Sequence, residues 1–256
     1  MAGMTPLLMS LAAFVCIFGG TFLGLFMRRR LPGHHLSGDT KDIVRQGTAL
    51  IATLASLVLG LLIASANGRY ETENSHIKQI IANLILVDYT LALYGVETDP
   101  VRALLRRDVD LMADRIWSES RPAFDRAKPF QADSLGLSIY NEVLKLTPKT
   151  DAQRFYQSRA MDTLVDIGKT RLLLYANTTG SIPLPFLIVL VGWLALIFAS
   201  ISLFAEGNAR AITILCIFSI AASAAIFLIL ELSQPFVGLM MISDEPFRHA
   251  LVALPH

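Results

Sequence analysis

The sequence predicts an all-α membrane protein, with four transmembrane helices in two hairpins flanking a helical soluble domain. Three observations predict this. Only 17% of the 256 residues are charged, against about 25% in a typical soluble domain. The mean hydropathy is +0.53, and the apolar residues gather in four blocks. The remainder repeats apolar side chains at helical steps, with no strand alternation.

The four blocks are Pro6–Met27, Thr48–Ala66, Pro183–Phe204 and Ala211–Leu230. Each holds about 19–22 residues without an internal charge, which suits a hydrocarbon layer of roughly 30 Å at 1.5 Å rise per residue. The first block reads as a retained helix rather than a signal peptide. "MAGMTP" precedes it without a basic residue, and "RRR" (Arg28–Arg30) follows it, the reverse of a cleavable leader. The expected organisation is a hairpin over 1–66, an extramembrane domain over 67–181, a second hairpin over 182–231 and a tail over 232–256.

The middle segment carries fifteen basic and fifteen acidic residues, so it is a solvated surface rather than a polyanion-binding patch. Ile77, Ile80, Ile81, Leu84, Val87, Leu91 and Tyr94 recur at steps of three and four, as do Leu105, Val109, Met112 and Ile116. Such spacing predicts amphipathic helices. Breakers at Thr98–Pro100, Arg121–Phe130 and Thr147–Asp151 divide the segment into about four. Asp99 before Pro100 is an expected helix cap, and Asp151 is another, leading a helix through Tyr175.

Nothing points to an enzyme. His34 and His35 are adjacent and so cannot share a helix face. With Asp39 and Asp42 they make no converging ligand set, and no metal site is expected. Phosphate-loop, nucleophile-elbow and H-E-x-x-H motifs are absent, so no cofactor and no catalytic residue is assigned. Asp162 and Asp166 share a solvated face. Cys16 and Cys216 both fall in membrane blocks and frame no disulfide scaffold. With a net charge of +1, no nucleic-acid partner is implied.

The second block is the most informative. Thr48, Ala52, Ser56, Gly60 and Ala64 recur every fourth residue, flanked by Leu54, Leu57, Val58, Leu61 and Leu62. Small residues at this spacing let helices approach closely in lipid. The ridge either packs tightly against a neighbour or lines a pathway in an oligomer.

After the fourth block comes "ELSQPFVGLMMISDEPFRHAL", that is, Glu-Leu-x-x-Pro-Phe-x-Gly, an apolar stretch, a Pro-x-Arg step and Ala-Leu. Near the other end stands "RRRLPGHHLSGDTKDIVRQGTALIATLASLVLGLLIASANGRYET". Both resemble a large group of bacterial membrane proteins described as bestrophin-like, whose function is unassigned. The bestrophin anion channels are a more distant likeness. Their Asn-Pro-Phe-Gly turn is similar to Gln234–Gly238, and their Asn-x-x-Tyr matches Asn67 and Tyr70. Where they continue Arg-Trp-Trp-Glu, this chain reads "ETEN".

The resemblance implies a multi-pass protein of the bacterial inner membrane that assembles as a homo-oligomer, a pentamer in the bestrophins, and passes small anions. Three bulky apolar residues of the bestrophin neck correspond to Ser56, Gly60 and Ala64. Asn67, Arg69, Tyr70 and Glu71 would then stand at the mouth. Glu231, Pro235, Phe236 and Gly238 form an expected structural turn, with Glu231 in the last turn of an apolar helix. "VGLMMI" is expected to lie along the membrane interface or under the helical domain, with Arg248 near Asp244 or Glu245.

Two functions fit these features. One is an oligomeric pore; the other is a non-conducting sensor or scaffold whose helical domain binds a ligand or partner. Orientation stays open. Six basic residues border the membrane on the loop side and five on the domain side. The dense Arg28–Arg30 run leans the loops towards the cytoplasm, whereas the resemblance places the domain there.

Overall fold

The computed structural model describes residues 6–30, 38–117, 134–178, 184–205 and 208–250. His34, His35 and the Arg121–Phe130 breaker lie outside them. Every regular element among the described residues is helical. They are α1 (Pro6–Arg30), α2 (Gly38–Tyr94), a 3-10 turn (Val96–Thr98), α3 (Asp99–Trp117), α4 (Ser134–Lys145), α5 (Asp151–Thr178), α6 (Leu184–Phe204), α7 (Ala209–Leu232) and α8 (Glu245–Arg248). Four of them contain stretches long and apolar enough to cross a bilayer: α1, α2, α6 and α7. The chain divides into two compact units, Met1–Arg69 with Ser181–Ser233, and Tyr70–Gly180 with Gln234–His256.

In the first unit α1 packs against α6 and α7. The approach to α6 is close because α1 offers no side chain at Gly20 and Gly24. A Cβ at Gly20 would collide with the backbone of Ala195, and one at Gly24 with the Ala199 carbonyl and Ser202 Cβ. Around this seam lie Ala13 and Ile17 of α1, Leu190 and Phe198 of α6, and Leu215, Ile226 and Ile229 of α7, all buried. The buried hydroxyls of Ser202, Ser219 and Ser223 donate to the carbonyl four residues earlier, at 2.7–2.8 Å. That satisfies a polar group without water, as an apolar interior requires.

The second unit is built on the extramembrane end of α2, where Ile77, Ile80, Leu84, Val87 and Leu91 form one buried stripe. Against it pack Val101, Leu105, Val109 and Met112 of α3, Ile139 and Val143 of α4, and Ala160, Ile167 and Leu174 of α5. Asp88, also on α2 and buried, accepts two bonds of 3.0 Å from the Arg102 guanidinium. This bidentate pair ties α3 to α2 with fixed geometry.

Two helix starts differ by one residue from the expected caps. Asp99 is already helical, with φ −53° and ψ −42°, because the 3-10 turn runs straight into α3. The cap of α5 is Thr150, not Asp151. Its hydroxyl accepts from the Gln153 N–H at 3.1 Å, and Gln153 Oε1 reaches back to the Lys149 N–H at 2.8 Å. This is a variant of the Thr-x-x-Gln capping box.

Candidate functional site

The ridge of α2 does not keep to one face. Four residues turn an α-helix about 400°, so an every-fourth ridge drifts about 40° per step and about 160° from Thr48 to Ala64. The face of α2 covered within the first unit is made by Ala55, Leu62 and Ala66, with Ile51, Ala52, Val58 and Leu59 partly buried. Thr48 and Ala52 start near that covered side and are half-buried. Ser56, Gly60 and Ala64 have rotated away and are exposed. Among the described residues, a Cβ on Gly60 would meet nothing within 4 Å. The large side chains beside them, Leu57 and Leu61, are also exposed. Ser56 Oγ donates to the Ala52 carbonyl at 2.8 Å, so its proton is already spent and the oxygen presents lone pairs outward.

Beyond the apolar run, Asn67 and Glu71 are exposed and Arg69 is half-buried. Tyr70 packs against the core of the second unit. Three residues further, Glu73 is only 5% exposed. Its Oε2 has no hydrogen-bond partner, nor has Nδ1 of the neighbouring His76. Burial pushes the Glu73 carboxyl up to about 7, because an unpaired charge is costly away from water. Residue-by-residue reading passed over Glu73. It lies four residues before Ile77, so extending the buried stripe one step backwards places the carboxyl inside.

Glu231 sits in the last turn of α7 and is buried. After it the chain closes on itself. The Ile242 N–H donates to the Pro235 carbonyl at 2.8 Å, and the turn between them passes through Gly238 at φ 107°. Trp117 of α3 holds the base of this loop. Its Nε1 donates to the Ile242 carbonyl at 2.7 Å, and its ring meets Phe236 and Phe247 edge-on at 5.8 and 5.5 Å. Of the "VGLMMI" stretch only Ile242 is buried; Leu239, Met240 and Met241 at the loop tip are exposed. Arg248 bonds Asp244 and Asp114, each at 2.7 Å. The first of these bonds holds the Asp244 carboxyl below its usual range. Among the described residues no group of three or more His, Cys, Asp or Glu could hold a metal ion.

Four apolar helices and a helical extramembrane unit define an all-α, multi-pass membrane protein. The family model of the Bestrophin-like domain matches residues 15–247, and the chain belongs to the bestrophin-like family. Among solved structures, a point mutant of a bacterial bestrophin homolog from Klebsiella pneumoniae shares the fold. Its TM-score is 0.64 at 14% identity, over 94% of this chain and 97% of that one. No curated protein matches the sequence.

Proposed function

We propose that the chain forms a homo-oligomeric channel of the bacterial inner membrane that passes small anions. Ser56, Gly60 and Ala64 of α2 would line its narrowest part. The observation that carries this reading is the open face of α2. Within one chain these positions are exposed, and among the described residues nothing stands against Gly60, although all three lie in the middle of an apolar helix of a bestrophin-like protein. A ring of Ser, Gly and Ala lacks the bulk that gates by dewetting, so water and ions face a low barrier there.

Selectivity then rests on the mouth. The Ser56 proton points back into its own helix, so the lone pairs turned outward do not attract an anion. Arg69, five residues past Ala64, is the fixed positive charge at that end of the ridge, with Asn67 and Tyr70 beside it and Glu71 opposing. Chloride flux from liposomes tests the reading. Wild-type protein passes chloride, Ser56→Phe reduces the flux with the oligomer intact, and Arg69→Gln lowers the preference for chloride over sodium. An intact oligomer without flux above empty liposomes overturns conduction. It would favour the second reading, a sensor or scaffold, for which the buried, unpaired Glu73 of the extramembrane unit is the supporting feature.

A further inference from the structure

The loop-side ends of α1 and α7 enclose a cleft of about 270 Å³, lined by Leu25, Arg28, Arg29 and Ile212. The spacing on α1 builds it. Leu25 stands three residues before Arg28 and four before Arg29, so one turn of helix offers an apolar side chain and two guanidinium groups to the same side. Arg28 is held in place, since its Nη1 donates to the Ala205 carbonyl just past the end of α6. Arg30 is turned elsewhere, over the ring of Phe26 at 5.1 Å. The described lining therefore carries two positive charges and no acidic group.

Ile212 belongs to the first turn of α7, a helix of 24 residues. Its N-terminal N–H groups and dipole add to the positive potential of the two arginines. Arginine suits phosphate because its planar fork donates two parallel bonds to phosphate oxygens. The volume is below the roughly 300 Å³ at which pockets for drug-sized ligands begin. That is room for a single headgroup, the rest of whose molecule lies outside the open cleft.

Position decides the class of phosphate. The apolar run of α1 ends at Met27, so Leu25 lies within the hydrocarbon boundary and the arginines just beyond it. A free phosphate ion has no use for the Leu25 and Ile212 walls. A phospholipid does, because its glycerol and first acyl carbons lie beside its phosphate. We propose that this cleft binds the phosphate of an anionic phospholipid headgroup, as basic pockets between membrane helices do. The site lies within one chain and does not depend on conduction.

The test uses the full chain, purified in a neutral detergent. Phosphatidylglycerol, phosphatidylcholine or inorganic phosphate is added, and thermal stability and lipid retained in native mass spectra are measured. Phosphatidylglycerol is expected to raise the melting temperature and to remain bound, while phosphatidylcholine and inorganic phosphate do neither. Arg28→Gln with Arg29→Gln weakens retention roughly ten-fold or more; Arg30→Gln leaves it unchanged. Arg29→Gln alone, with its exposed side chain, keeps the measurement readable if loss of the Arg28 anchor harms folding. Equal retention of both lipids overturns the site, as does full retention in the Arg29→Gln variant, or an equal loss in Arg30→Gln. The full shift with inorganic phosphate alone overturns the lipid assignment in favour of a free anion.

Discussion

Two ridges of small residues run along membrane helices consecutive in sequence, and they end differently. On α1, Gly20 and Gly24 meet the backbone of α6 directly. On α2, Ser56, Gly60 and Ala64 are exposed, and among the described residues nothing stands within 4 Å of a Cβ placed on Gly60. Both patterns satisfy the small-xxx-small rule, because both let a backbone come close where apolar bulk gains nothing by association. The rule thus announces a close approach without naming the partner. For α1 the partner is another part of the same chain. For α2 none of the described residues fills the role, which is why an assembly is the natural place to look for it.

The largest effect should come from breaking the closed ridge. Gly24→Leu would drive a branched side chain into the Ala199 carbonyl and Ser202. Backbone cannot move aside as a side chain can, so the cost should reach or exceed about 3 kcal/mol, the upper end of ordinary overpacking. Loss of monodisperse, helical protein in detergent is the expected result. A well-folded Gly24→Leu variant would show that α1 and α6 are not packed this closely.

The same comparison runs along α2 itself. Its membrane part is open on one side, whereas its extramembrane part is enclosed by α3, α4 and α5 through the core around Ile80, Leu84 and Val87. Glu73 lies on the enclosed stripe, and its carboxyl is raised from 4.5 to about 7. Below pH 4.5 the group is protonated in both the folded and the unfolded chain. As pH rises to 7 the unfolded chain ionises first, so the folded chain holds more protons and stability falls. The loss levels off above pH 7, at roughly 3 kcal/mol. Glu73→Gln should remove that slope. Thermal melts at pH 4 and pH 8 check it, and a variant that keeps the wild-type difference would place the titration elsewhere.

How much of this could be read in advance differs by level. The four apolar runs were legible because a bilayer admits little else. The continuity of α2 past Ala66 was nearly so, since no proline interrupts the sequence before Tyr94. The Thr150 cap was missed in favour of Asp151, although the Thr-x-x-Gln spacing was there. Gly20-Thr21-Phe22-Leu23-Gly24 is likewise a plain G-x-x-x-G that the longer α2 ridge overshadowed. What no spacing disclosed is which ridge the chain closes on itself. Sequence order pairs α1 with α2, while the packing of α1 on α6 and α7 joins residues more than 150 positions apart. The drift of an every-fourth ridge around the helix is a matter of arithmetic. Its meaning at Ser56, Gly60 and Ala64 depends on where the neighbours stand.

A third kind of glycine calibrates the other two. Gly238 is needed for its φ of 107° rather than for space. Gly238→Val should cost roughly 1–3 kcal/mol through backbone strain and loosen the loop held by Trp117. The readout is a lower melting temperature together with increased protease cleavage between Pro235 and Ile242. No change in either would mean that the turn adapts, and that its glycine is not conformationally required.

The smallest effect on the chain itself, and the sharpest test of the contrast, is expected from Gly60→Leu. The added side chain has open space in the single chain, so helicity and the melting temperature of dispersed protomers should stay near wild type, within about 0.5 kcal/mol. In an assembly whose copies approach through α2, the same side chain stands where backbones meet, and the oligomer dissociates or enlarges, visible as a shift in mass by light scattering in detergent. Where Gly60 lines the pore, as proposed above, the oligomer keeps its mass and chloride flux falls instead. Gly24→Leu and Gly60→Leu thus separate cleanly, the first losing the fold and the second keeping it. If Gly60→Leu changes neither stability, oligomer mass nor flux, the open face of α2 is turned to lipid and the two ridges differ in a simpler way. The glycines of α1 would then be there for packing, and that of α2 would face only acyl chains.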